Sequence, residues 1–218
     1  MPHILLLRHG QTDDNARGVL QGHSETNLNA LGREQAAALA GRLATFAPRP
    51  DALVVSDLAR ARQTAAVIER ALGLRARPDP TWRERGFGEF EGRAIAEAEA
   101  WRAATGAWDL PGAEDTNLFH ARIFGALMTV VQEHPMTACV GVITHGAAIR
   151  TVLHFLADGR LPLAAGEPAP DSVPIANCSI LHLSADAQDD GGLVWRVACV
   201  NDVRHLTQER LPAFRAEG

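Results

Sequence analysis

Two short apolar runs, each ending in x-His-Gly, constrain this chain more than any other feature. The first is Ile4-Leu5-Leu6-Leu7, followed by Arg8-His9-Gly10-Gln11-Thr12. The second is Val140-Gly141-Val142-Ile143, followed by Thr144-His145-Gly146. Runs this short are too brief for an ordinary helix and read as strands buried on both faces. In an open α/β sheet, ligands bind just beyond the carboxyl ends of the strands. Both imidazoles are therefore expected at one functional edge.

Around these runs, strand and helix patterns alternate. Helices are expected over Leu31 to Phe46, Leu58 to Leu72 (closed by Gly73), Ala94 to Ala104, Thr116 to Glu133 and Gly146 to Leu156. Further strands are expected over Asp51 to Val55, over Leu74 to Arg77 at an edge, and over Ala176 to Leu183 and Leu193 to Val200. The last two form a hairpin across the polar Ser184–Gly192 turn. The stretches 11–29, 82–92 and 158–174 read as loops, and the tail beyond Leu206 as loosely attached. This alternation predicts an α/β fold, a largely parallel sheet with helices on both faces. At 218 residues a single domain with a sizeable core is the natural size class.

Composition excludes several chemistries. All 21 basic residues are arginine, and there is neither lysine nor tyrosine. A P-loop lysine, a Schiff-base lysine, a lysine general base and a tyrosyl nucleophile are therefore impossible. Any bound anion must be held by guanidinium groups, imidazoles and backbone N–H. The net charge of -5 gives no reason to expect a nucleic acid or an anionic membrane as partner. No apolar run approaches a membrane span, and Met1-Pro2-His3 lacks the basic start of a signal peptide. Cys139, Cys178 and Cys199 are odd in number and widely spaced. They read as buried thiols of a cytoplasmic protein rather than as disulfides or zinc ligands.

Taken alone, either histidine is more simply read as a strand-end or core residue satisfied by its surroundings. Together, with Arg8 beside His9, they point to chemistry on an anion. A neutral imidazole is a competent nucleophile, and an adjacent guanidinium can clamp phosphoryl oxygens. His145, just before a helix start, sits where the macrodipole and backbone N–H favour an anion. Arg60 lies in the first turn of the helix after Ser56, against the dipole, which an anion shared with that edge would explain. Arg62 reads as a solvated surface charge. Trp82 to Gly92 adds three carboxylates, Glu84, Glu89 and Glu91. One of them could protonate a leaving alkoxide, and spacing alone does not choose among them.

These residues fall in a family's order. Arg8-His9-Gly10-x-Thr12-x-x-Asn15 and Gln21-Gly22-x-x-Glu25-x-x-Leu28-x-x-Leu31-Gly32 resemble the opening of the histidine phosphatase superfamily, in its phosphoglycerate-mutase-like branch. Ser56-x-Leu58-x-Arg60-Ala61-x-Gln63-Thr64, Glu84-x-x-x-Gly88-x-x-Glu91-Gly92 and Thr144-His145-Gly146 resemble its later motifs. Asn201-Asp202-x-x-His205-Leu206 resembles its closing segment. The resemblance implies a three-layer αβα sandwich with a mostly parallel central sheet. It also implies two-step phosphoryl transfer without a metal or other cofactor. His9 would be phosphorylated; Arg8, Arg60 and His145 would form the phosphate pocket. Asn15, Gln21, Gly22 and the Gly146 N–H would complete it, and Glu84 would be the proton donor. The chain departs from the family pattern at Asn27 and Asn29, where proline and threonine are frequent, and at Ala147, where the glycolytic mutases carry asparagine.

The expected activity is that of a phosphomonoesterase acting on a small phosphorylated metabolite through a phosphohistidine. One domain would span residues 1–218, with a lid or cap around 85–135, and a homodimer stays open. The competing reading within the family is a mutase that returns the phosphoryl group to its substrate. Arg85 matches the mutase pattern, but the segment Ala94 to Trp108 offers only Arg102 toward the second-anion site such an enzyme needs. Against it, Phe87 replaces the mutase tyrosine, no Arg-Arg pair occurs, and lysine is absent. A metallohydrolase using His9 and His145 as ligands would set Arg8 and Arg60 beside a cation. A non-catalytic phosphate-binding module would have no use for the complete chemical set.

Overall fold

The computed structural model describes residues 2–135, 137–166, 174–189 and 191–207. Its first strand, β1 (His3–Arg8), is buried on both sides through Ile4 to Leu7. Because side chains alternate along a strand, Ile4 and Leu6 enter one core and Leu5 and Leu7 the other. The first core is closed by α5 (Thr116–Glu133) and α6 (Gly146–Ala157). The second is closed by α2 (Ala30–Ala44) and α3 (Ala59–Leu72). The molecule is thus a three-layer αβα sandwich.

The sheet has the order β3-β2-β4-β1-β5-β6, with β2 at Ala52–Val55, β3 at Ala76–Pro78, β4 at Cys139–Thr144, β5 at Ile180–Ala187 and β6 at Leu193–Asp202. β3, β2, β4 and β1 are parallel neighbours, while β5 is antiparallel to both β1 and β6. β1 and β4 lie side by side in register, Arg8 opposite Thr144. Their carboxyl ends therefore deliver His9 and His145 to the same edge. Pro78 is tolerated because β3 is an edge strand.

Three expectations are corrected. The stretch 11–29 contains a short helix, α1 (Asp13–Arg17), which buries no residue and so shows no apolar periodicity. Its signal was the capping box between Thr12 and Asn15. The strand expected from Ala176 starts at Ile180. Residues 176–179 form a turn, with Cys178 in the left-handed region at φ 57° and its N–H bonded to the Arg8 carbonyl. β5 does not alternate: Ile180 to Ala185 are all buried, because both faces are packed, Leu181, Leu183 and Ala185 in the first core and Ile180 in the second. The hairpin turn is accordingly shorter and begins beyond Ala187.

Within the 85–135 range, α5 packs into the main core. Phe90, Ala98 of α4 (Ile95–Thr105) and Leu110 form a separate small cluster above the sheet edge. Part of the expected 158–174 loop, residues 167–173, and the tail from 208 lie outside the described residues. Among the described residues no helix is long and apolar enough to cross a membrane.

Candidate active site

The site is built from the carboxyl ends of β1, β2 and β4. His9 leaves β1 with its N–H on the Thr144 carbonyl at 3.0 Å. Its ring lies 5.1 Å, centroid to centroid, from that of His145. His9 Nδ1 is 2.7 Å from the Gly10 carbonyl oxygen. A carbonyl only accepts, so Nδ1 carries the proton and Nε2 keeps its lone pair. Burial pushes the His9 pKa well below 6.5, and the charges of Arg60 and Arg8 push it further. The ring is neutral at neutral pH.

His145 is neutral for the same reasons: burial first, then Arg60, His9 and Arg8. Its tautomer is tied to Ser56, directly after β2. Ser56 Oγ accepts from Leu58 N–H at 3.4 Å and lies 2.7 Å from His145 Nε2. With the hydroxyl proton given to Nε2, the proton of His145 sits on Nδ1. That Nδ1 is buried without a hydrogen-bond partner among the described residues, as are Arg8 Nε and Arg60 Nε. Three unsatisfied buried donors near one imidazole are of the kind an anion satisfies.

The arginines are fixed by their other nitrogens. Arg60 is 1 % exposed, and it donates to the carbonyls of Gly22 at 2.8 Å and Ser24 at 2.9 Å. Arg8 Nη1 donates to the Ile175 carbonyl. Burial, and then the like charge of Arg150, lower the Arg8 pKa to about 10. Thr64 accepts from Gly10 N–H and donates to the Arg60 carbonyl, tying α3 to the β1 loop. Close approach is permitted there by Gly10 and Gly32, since a Cβ on Gly32 would meet the Gln11 carbonyl oxygen at 2.0 Å. Asn29 caps α2 by accepting from Gly32 N–H at 2.8 Å. The departure from threonine there keeps the capping chemistry.

Geometry separates the three carboxylates. Glu84 Oε2 accepts from Ala147 N–H at 3.2 Å, so the carboxylate sits at the start of α6 beside His145-Gly146. Its other oxygen accepts from Arg85 N–H. Glu91 instead ties two loops together by accepting from the N–H groups of His23 and Phe87, and Glu89 is exposed. Gln21 accepts from Thr12 and Thr26 hydroxyls, and Asn15 accepts from Asn177 Nδ2 at 3.2 Å. Arg85 pairs with Asp109 at 2.5 Å and forms part of the wall of the neighbouring cavity. Arg62 is at the surface near Glu25, and the cysteines are free.

Sequence reasoning missed Ser56 as a partner of His145, Asn177 as a donor to the His9 carbonyl, and Arg150. Ser56 could have been found from its place directly after β2. The other two depend on a turn and on a helix phase that periodicity does not fix. Among the described residues no group of three His, Cys, Asp or Glu side chains could hold a metal ion.

Comparison with known proteins agrees with this geometry. The model of the histidine phosphatase superfamily (branch 1) matches residues 4–201. "Broad-specificity phosphatase YOR283W" of Saccharomyces cerevisiae is 34% identical over 159 residues, 70% of this chain and 69% of that protein. "Probable phosphoglycerate mutase GpmB" of Yersinia enterocolitica is 30% identical over 221 residues, 97% of this chain and 98% of that protein. Among solved structures, the mycobacterial glucosyl-3-phosphoglycerate phosphatase Rv2419c in complex with VO3 superposes with a TM-score of 0.76 at 29% identity. That alignment covers 91% of this chain and 98% of the other.

Proposed function

The chain belongs to branch 1 of the histidine phosphatase superfamily, and on that premise we propose that it is a metal-independent phosphomonoesterase working through phosphohistidine at His9. In the first step the Nε2 lone pair attacks phosphorus, the P–O bond to the alcohol breaks, and Glu84 gives its proton to the departing oxygen. In the second, water attacks phosphorus as Glu84 takes its proton, and the P–N bond breaks to release phosphate. Arg8 Nε, Arg60 Nε and His145 Nδ1 stabilise the equatorial oxygens in both steps, and the Gly146 N–H at the α6 start adds to them. The observation that carries this reading is the neutral His9 ring beside three buried, unpaired donors, with Glu84 alongside.

Guanidinium groups supply the charge neutralisation that a metal would otherwise provide, so activity is expected to survive EDTA. A small phosphorylated metabolite is the partner in this reading, and three free thiols fit a cytoplasmic setting. A mutase reading is favoured by the name of the Yersinia relative. It differs only in which acceptor attacks phospho-His9. The test supplies 3-phosphoglycerate with catalytic 2,3-bisphosphoglycerate and follows both 2-phosphoglycerate and free phosphate. Phosphate release is expected; rapid isomerisation with little phosphate would make the mutase reading correct.

A further inference from the structure

A cavity of about 690 Å³ opens by Arg85 and Ala147, lined by residues of α4, α5 and α6 and by Leu20, Phe87 and Trp108 from the loops around them. Its volume is that of a drug-sized group, far more than a three-carbon acid fills. None of the residues lining it is acidic. Three of its walls are cationic, and they differ in kind. Arg85 is neutralised by Asp109. Arg102 donates to the Trp108 carbonyl, with its guanidinium 5.4 Å from the Trp108 ring centroid. Arg150, one turn into α6, has no acidic partner among the described residues.

Arg150 is also next to the phosphate-binding atoms. A methyl group placed on Gly146 would meet Arg8 Nε at 3.4 Å and Arg150 Nη2 at 3.5 Å. Both guanidinium groups thus reach Gly146, Arg8 with its buried, unpaired Nε and Arg150 from the exposed, cavity side. The Arg8 Nε already faces the phosphoryl site, which leaves Arg150 on the cavity side of Gly146. Beyond it the walls are mixed, with His120, His154, Thr116 and Thr151 set among apolar residues. Trp108 is 67% exposed and Ile95 39% exposed at the rim, and Leu20 and Phe87 lie deeper. An exposed tryptophan backed by a guanidinium is a platform for a flat group.

We propose that the alcohol half of the substrate is a flat, largely apolar group that stacks on Trp108 and carries its own negative charge, recognised by Arg150. This rests on the phosphomonoesterase reading for the phosphoryl end alone. A charge-assisted contact of this kind is expected to give about tenfold or more in affinity.

The test is calorimetric binding of a matched, non-hydrolysable pair: 3-carboxybenzyl phosphonate and its neutral amide, 3-carbamoylbenzyl phosphonate. The native protein should prefer the acid by about tenfold or more, Arg150→Gln should bring the ratio close to one, and Arg150→Lys should retain part of it. Trp108→Ala should weaken both aryl ligands while leaving inorganic phosphate binding unchanged. Equal binding of acid and amide by the native protein, or an equal loss of both in Arg150→Gln, would overturn the proposal. In the latter case Arg150 would be holding the phosphonate itself. Phosphate release from the corresponding benzyl phosphates is measured alongside. Charge-selective binding without any release would support the Arg150 site and defeat the hydrolytic reading.

Discussion

Ser56 Oγ lies 2.7 Å from Nε2 of His145, both fully buried, and a hydroxyl that donates to Nε2 keeps the ring proton on Nδ1. Removing the hydroxyl frees the ring to exchange tautomers and leaves Nε2 unsatisfied. Ser56→Ala should cost about 1–3 kcal/mol of stability and lower kcat/KM about tenfold. The decisive readout is ¹⁵N NMR of His145, which should report the Nδ1-protonated tautomer in the native protein and a mixture in the variant. An unchanged spectrum would reduce Ser56 to a packing residue.

Glu84 meets the start of α6 through the Ala147 N–H, and as proton donor it matters most when the leaving group is poor. Glu84→Gln should lose on the order of 10²–10⁴ in rate on alkyl phosphates. On p-nitrophenyl phosphate, whose leaving group hardly needs a proton, the loss should be much smaller. Equal losses on both substrates would mean that Glu84 only shapes the pocket.

The pH dependence of stability has a definite sign. His9 and His145 are held well below 6.5 by burial and then by Arg60, and burial followed by His3 brings His182 to about 4. Below pH 6.5 the unfolded chain binds protons that these native rings refuse. Stability therefore is complete above 6.5 and declines as pH falls beneath it. Asp202, hydrogen-bonded by Arg204 and held at about 2, extends the loss through the range from 3.8 to about 2. Urea midpoints should fall between pH 7 and pH 5, and vanadate should raise them at neutral pH by binding only the native state. A midpoint that is flat from pH 7 to pH 5 would contradict the buried neutral histidines.

How much could be read beforehand depended on what carried the signal. The buried strands, α5 and the Gly73 cap were legible because their apolar spacing and terminal residues belong to single elements. The meeting of His9 and His145 was legible because each ends an apolar run, and parallel strands align such ends. α1 was not, because it buries nothing. The 176–179 turn reads as strand from its composition, and its bonds to Arg8 and Asn201, with Cys178 left-handed, belong to distant partners that composition does not show. Glu84 could be told from Glu91 by resemblance but not by spacing, since what separates them is which loop or helix start their oxygens reach. Arg150 escaped notice because it meets Arg8 only across Gly146, from far away in sequence.

The account turns on His9 Nε2 becoming a phosphoramidate. The most direct measurement is rapid quenching of the enzyme with ³²P-labelled substrate, followed by separation of protein from free phosphate. Native protein should carry label that is lost in acid and stable in alkali, mapping to the peptide that contains His9, and His9→Ala should carry none. Label that survives acid, or that persists in His9→Ala, would contradict it.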